Sequence, residues 1–217
     1  MNVHLCFHGI GVCTREREPG EAGYWVARDQ FLRMLDEVTL HPGVTLSFDD
    51  GNRSDVDVAL EQLQERSLTA TFFPLAGRLD DPASLGAADL HVLRDAGMKI
   101  GSHGWHHLPW RRLGTADAHR EFVESRVVLE EASGTPITAV ALPLGQYDRR
   151  TLQGLRREGY RTVYTSDRHP ARERAWLSAR YSVGAQDTVA SVRRILARRT
   201  GLGEARNVLS ATVKRFR

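Results

Sequence analysis

Short apolar runs alternate with helix-length amphipathic segments along almost all of this 217-residue chain. Runs at 3–7, 44–48, 69–75, 98–100, 137–142, 160–164 and 176–183 have strand character. Between them, 30–38, 87–96, 116–132 and 149–158 repeat apolar residues at helical spacing, as does a terminal stretch from about residue 188. A further helix is expected after Ser54, with Val56, Leu60 and Leu63 on its apolar face, Ser54 as N-cap and Asp57 at the third position. Strands that alternate with helices in this way imply a parallel α/β fold. No GxGxxG follows the first strand, which argues against a dinucleotide-binding sheet.

The length suits one large domain over 1–217, able to bury a core without staples. With 41% apolar and 26% charged residues, the composition argues against disorder. Thirty Lys and Arg against 27 Asp and Glu leave a formal charge of +3. The arginines are dispersed and no basic block carries interleaved aromatics, so no nucleic-acid partner is expected. The basic end, RRILARRTGLGEARNVLSATVKRFR, is expected to be a solvated helix face. Cys6 and Cys13 form neither a metal knuckle nor a disulfide framework. MNVHLCFHGIG is too short an apolar run for a signal peptide, and no stretch reaches membrane-spanning length. The expectation is a soluble, cytoplasmic protein.

The chemically unusual residues collect at the ends of the expected strands. His8 follows the first, Asp49 and Asp50 the second, Ser102 and His103 the fourth, and Pro143 the fifth. In a β/α barrel these ends converge on one face, where active sites are built. We therefore expect a distorted or incomplete (β/α) barrel of about seven parallel strands. Adjacent aspartates repel unless a cation or a neighbouring base separates their roles. In SHGWHHLPW, His103 and His107 are four apart, so a helical turn would place both imidazoles on one side, within reach of one ion. Two histidines and one carboxylate leave positions open for water and substrate.

SFDDG at 47–51 and SHGWHH at 102–107 together resemble the polysaccharide deacetylases, the NodB-homology or carbohydrate esterase family 4. TATFFPLAGRL and GMKIGSH also look like that family's strands, so the resemblance covers nearly the whole chain. It implies that Asp49 is the catalytic base and that Asp50, His103 and His107 hold one divalent metal. Zinc suits this donor set best, although cobalt, nickel or iron(II) also fits. Gly104 stands where the family usually has Ser or Thr, so a hydroxyl bracing the loop is absent.

Two further departures matter. ALPLG at 141–145 lacks the arginine and the aromatic that many members place there. Arg180, in WLSARYSV, is the candidate to replace the arginine beside Asp49, and Asp167 is the nearest match to the acidic motif after the sixth strand. The C-terminal L-x-H motif is missing, since no histidine follows His169. In a circularly permuted branch of the family a histidine near the N-terminus supplies the acid, and His8 fits that place.

The resemblance implies a metal-dependent N-deacetylase acting on the linear amide of an amino sugar or sugar conjugate. A backbone N–H near Leu144 or Gly145 is expected at the oxyanion. Trp105, Trp110 and Tyr147 are the candidates to stack on the sugar, with packing into the barrel rim as the other reading of Trp105, and Arg111 with Arg112 are either a phosphate contact or a solvated turn. Two alternatives stand beside this reading: a carbohydrate-binding protein without catalysis, and a metal-dependent amidase for a non-sugar molecule.

Overall fold

The computed structural model describes residues 2–197 and 202–216. Its strands are β1 (His4–Phe7), β2 (Gly9–Ile10), β3 (Trp25–Val26), β4 (Thr45–Asp50), β5 (Ala70–Pro74), β6 (Lys99–Ile100), β7 (Ala139–Ala141), β8 (Thr162–Thr165), β9 (Leu177–Ala179) and β10 (Tyr181–Ser182). The helices are α1 (Arg28–Thr39), α2 (Glu61–Glu65), α3 (Ala87–Asp95), α4 (Thr115–His119), α5 (Ser125–Ser133), α6 (Arg149–Arg157), α7 (Val189–Leu196) and α8 (Leu202–Phe216). Residues 198–201 and 217, part of the expected terminal helix, lie outside the described residues.

All the strand pairings are parallel. One sheet runs β10-β1-β4-β5-β6 and another β7-β8-β9. They are joined at two seams. Ser102, just beyond β6, bridges Val140 in parallel, through Ser102 N–H to the Ala139 carbonyl at 3.0 Å and Ala141 N–H to the Ser102 carbonyl at 2.9 Å. At the other seam β9 pairs with β8 and β10 pairs with β1, and the one residue between β9 and β10 is Arg180. The single strand expected over 176–183 therefore changes partner midway. Counting β9 and β10 as one closing segment gives the seven-stranded distorted barrel that the alternation implied, with β2 and β3 as a small separate pair.

Register explains the two layers of the core. Phe7 pairs with Phe48 and Phe48 with Phe72, so three rings line up across β1, β4 and β5. They stack at 5.6 and 4.8 Å between centroids, and Phe31 of α1 meets Phe7 edge-on at 5.1 Å. This outer face packs on helices. The alternate residues Cys6, Ser47, Asp49 and Phe73 point inward, because side chains switch faces at each residue of a strand. Both faces are buried, as parallel strands require.

Two local expectations are corrected. Ser54 caps no helix; its hydroxyl accepts the Ile10 N–H at 3.1 Å and ties β2 to the segment after β4. Asp55–Leu60 is a π-helical turn that runs into α2. The helix expected over 116–132 likewise contains a π-helical turn, Arg120–Glu124, between α4 and α5. Among the described residues no helix is long and apolar enough to cross a membrane.

Candidate metal centre and active site

Strand β4 reaches further than the sequence implied, because Asp49 pairs with Phe73 and Asp50 with Pro74. Regular alternation would send two adjacent carboxylates to opposite faces. Asp50 instead has φ 75°, followed by Gly51 at φ 63°, and this left-handed turn brings both carboxylates to the same rim. A side chain at Gly51 would be strained at that φ and would place its Cβ 2.9 Å from the Pro74 side chain. Positive φ at a non-glycine residue is costly and concentrates at functional sites.

The histidines come together without a helix. Residues 101–114 contain no helical turn, and Gly104 and His107 adopt φ 85° and 57°. The imidazole centroids are 5.2 Å apart. His103 Nδ1 lies 2.9 Å from the Ala141 carbonyl, and His107 Nδ1 lies 2.6 Å from Glu18 Oε2. Both of those oxygens can only accept, so each Nδ1 carries the proton and each Nε2 keeps its lone pair for a metal. The two Nε2 atoms lie 3.4 and 3.5 Å from Asp50 Oδ1, a buried oxygen without a hydrogen-bond partner.

Four donors about 2.1 Å from a tetrahedral ion sit roughly 3.4 Å from one another. The observed edges match that spacing, so Asp50, His103 and His107 fit a divalent cation with a position left open. Burial alone would push His103 below its ordinary value, but Asp49 and Asp50 outweigh it and hold the ring above that value. A proton and a cation therefore compete for its Nε2.

Asp49 lies beside this triad, its Oδ2 3.9 Å from His103 Nε2. Arg180 donates to both of its oxygens, Nη1 to Oδ1 at 2.7 Å and Nη2 to Oδ2 at 2.6 Å, and Nη1 also reaches Ser47 Oγ at 2.9 Å. Burial pushes the Asp49 carboxyl up, but the guanidinium, helped by His103, more than reverses this and holds it at about 2. A second cluster, Cys6, His8 and Asp49, also brings potential ligand atoms within 4.8 Å of one another. It is a poor cation site, because a buried guanidinium already occupies both Asp49 oxygens.

A family model described as polysaccharide deacetylase matches residues 37–163, more than half of the chain. This chain belongs to the polysaccharide deacetylase family. The peptidoglycan-N-acetylmuramic acid deacetylase PdaC of Bacillus subtilis (strain 168) is 28% identical over 123 residues, 54% of this chain and 25% of that protein. YxkH of the same strain is 23% identical over 124 residues, 57% of this chain and 44% of its own length. The matches thus span less than half of either curated relative. The deacetylase PplD of Streptococcus pyogenes, solved in complex with acetate, superposes with a TM-score of 0.74 at 19% identity, covering 91% of this chain and 98% of that one. The polysaccharide deacetylase BC0361 from Bacillus cereus gives 0.76 at 17% identity, covering 89% and 68%. At these identities the structural likeness concerns the fold alone.

Within this polysaccharide deacetylase fold, one pocket is lined by Asp49, Asp50, His103, His107, His8 and Arg180, with Leu144 and Gly145 on its wall. Leu144 is half exposed there, and Lys214 of α8 ties the turn down by donating to the Gly145 carbonyl at 3.1 Å. Three candidate sugar contacts do not line this pocket. Trp110 is fully buried against Phe122, with its Nε1–H donated to Glu121. Tyr147 is fully buried, and its hydroxyl donates to Asp167 at 2.7 Å. Trp105 packs against Gly77 under the Arg120 guanidinium, off the pocket wall. Asp167 pairs with Lys214 at 2.7 Å and, like Arg111 and Arg112, does not line the pocket.

The aromatic that does line it is Tyr24, 48% exposed, with its ring 4.8 Å from that of His8. Tyr24 and Glu18 come from the charged connection between β2 and β3, which the sequence reading passed over. That connection is clamped across the site. Arg17 bonds Glu21, Asn52 and Ser84, while Glu18 bonds both Arg78 and His107. A carboxylate behind a metal-binding histidine fixes its ring and raises its basicity, and losing such a partner typically costs 10–100-fold in metal affinity. Glu18→Gln is therefore expected to weaken divalent-metal binding by about that factor, measured by competition with a chromophoric chelator.

Proposed function

We propose that this chain is a zinc-dependent N-deacetylase that hydrolyses the acetamide of an amino sugar or sugar conjugate. The observation that carries the reading is the convergence of Asp50 Oδ1 and the Nε2 atoms of His103 and His107 at tetrahedral spacing, beside a separate carboxylate held by an arginine. A divalent cation in that triad would polarise the acetyl carbonyl and acidify a water.

Asp49 accepts the proton of the attacking water. It is suited to this because Arg180 keeps it ionised throughout the neutral range and fixes its plane by two hydrogen bonds. Gly145 N–H is engaged with the Leu142 carbonyl at 3.3 Å, so the backbone donor at the developing oxyanion falls to Leu144. Burial pushes the His8 imidazole below its ordinary value against the pull of Asp50 and Asp49, so the ring enters the cycle neutral. It acts as acid only after receiving a proton. The Asp49 carboxylate is within 4.8 Å of it, and His8 Nδ1 is buried without a protein partner. The proton removed from water thus passes from Asp49 through His8 to the departing amine, yielding a free amine and acetate.

Tyr24 and Leu144 form the wall against which a sugar ring would lie, in place of the aromatic missing from ALPLG. Arg180 beside Asp49 counts against the binding-only alternative, which rests on the altered ALPLG motif and the missing C-terminal histidine. The test is acetate release from N-acetylhexosamine oligomers, nucleotide-linked N-acetylhexosamines and simple acetamides. Activity should vanish on chelation and return with zinc, cobalt, nickel or iron(II). Metal-loaded protein that frees no acetate from any of these substrates would refute the reading. Release from the simple acetamides alone would favour the non-sugar amidase.

A further inference from the structure

The histidine loop has no regular secondary structure, yet it must present two Nε2 atoms to one point. Part of its support is main-chain pairing with neighbouring strands and loops. His103 N–H reaches the Pro74 carbonyl at 3.0 Å, Ala76 N–H the Gly104 carbonyl at 2.9 Å, and Trp110 N–H the Gln146 carbonyl at 3.1 Å. Three other donors between Trp105 and Trp110, however, turn the other way, toward the helix beneath. Trp105 N–H donates to Glu121 Oε2 at 2.7 Å, His106 N–H to Oε1 at 3.0 Å, and the Trp110 indole N–H to Oε2 at 3.3 Å. Glu121 is 1% exposed and forms no ion pair among the described residues. Its charge is met by loop N–H groups, an arrangement in which hydrogen bonds are short and strong.

Gly104 completes the relationship. Its φ is 85°, and a Cβ there would collide with the Glu121 carboxylate and lie 2.7 Å from Trp110 Cζ2. A hydroxylated side chain at 104 and the carboxylate at 121 compete for the same space. Glu121 belongs to the π-helical turn Arg120–Glu124, a local widening often found at functional sites. One residue on, Ser125 Oγ donates to the Glu121 carbonyl at 2.6 Å and lies 3.4 Å from Ser102 Oγ, which accepts the Gly104 N–H at 3.0 Å. The same turn thus grips the loop at two points.

We propose that Glu121 is a positioning residue for the metal centre, holding the histidine loop from the helix beneath it. It sets the spacing of His103 and His107 by fixing the peptide groups between them. The inference rests on the reading that these histidines bind a metal, and the two are separable by experiment.

Metal affinity of the folded protein is the readout, by zinc competition with a chromophoric chelator, alongside thermal melting of the metal-free form. Glu121→Gln replaces one acceptor oxygen with a donor that faces a loop N–H. It should retain the native circular dichroism while binding zinc roughly 10–100-fold more weakly. Gly104→Ala, which crowds the carboxylate from the loop side, should weaken zinc binding similarly. Combined with Glu121→Ala, its effect should be less than the sum of the two, because the sites share one contact. Wild-type zinc affinity in folded Glu121→Gln would overturn the proposal, whatever happens to its melting temperature. Should that variant fold poorly, unchanged affinity in Gly104→Ala overturns it equally. If the wild type itself binds no zinc, the metal reading fails rather than the role of Glu121.

Discussion

Asp49→Asn is expected to lower kcat/KM by about 10²–10⁴ while leaving zinc affinity within a few-fold of wild type. The first part follows from chemistry, because an amide cannot accept the proton of the attacking water. The second follows from geometry, since the metal edges run between Asp50, His103 and His107 and leave Asp49 outside. The substitution preserves one acceptor for Arg180 but removes its counter-charge, so the assay belongs well below the variant's melting temperature. Acetate release and chelator competition on the same preparation give both numbers. Near-normal turnover would move the base elsewhere, and loss of zinc would mean that Asp49 is a ligand.

Arg180→Met should be costly in two distinguishable ways. Arg180 and Asp49 are 1% and 3% exposed, and removing one member of a buried pair typically costs about 3–5 kcal/mol. The sign with pH follows from the depressed Asp49 value. A carboxyl held at about 2 when folded contributes stability that is complete above its unfolded value, near 3.9, and is lost as pH falls through about 2. Without the guanidinium, burial dominates and the carboxyl rises. The stability difference between wild type and variant should therefore be largest at neutral pH and shrink in acid, as urea melts of the metal-free proteins across pH would show. In parallel, the acid limb of kcat/KM should move to higher pH. A pH-independent difference would mean that the arginine acts by packing alone.

The parts of the site that were legible in the sequence are those where chemistry is local. Two aspartates at one strand end and two histidines four apart at another are each ordinary alone, and it is their combination that points to a cation, with Arg180 on the closing strand as the candidate partner of Asp49. Even there the local conformation differed. The histidines meet through left-handed residues in an irregular loop, and Asp50 leaves the strand alternation by the same means. The aromatics failed for a different reason. A tryptophan or tyrosine beside a site loop looks the same in sequence whether its polar atom faces substrate or a buried carboxylate. Trp110 and Tyr147 found Glu121 and Asp167. Glu18, Tyr24 and Glu121 were passed over because their roles depend on contacts distant in sequence. REREPGEAGY has the composition of a solvated turn, and a helical glutamate near HREFVES gives no sign that it faces inward. The motif departure at Gly104 signalled only that a bracing hydroxyl was absent, not which residue holds the loop instead.

Arg180 is also the hinge residue at which the last strand exchanges one neighbour for another. Its backbone N–H bonds Thr165 at 2.8 Å, its carbonyl accepts from Arg168 at 3.0 Å, and the same residue's side chain clasps Asp49. Opening at this join would detach the guanidinium from the Asp49 carboxylate and free that side chain to turn away from the metal triad. Heat or mild denaturant should then silence turnover ahead of global melting, so that the catalyst reports on the integrity of its own closure.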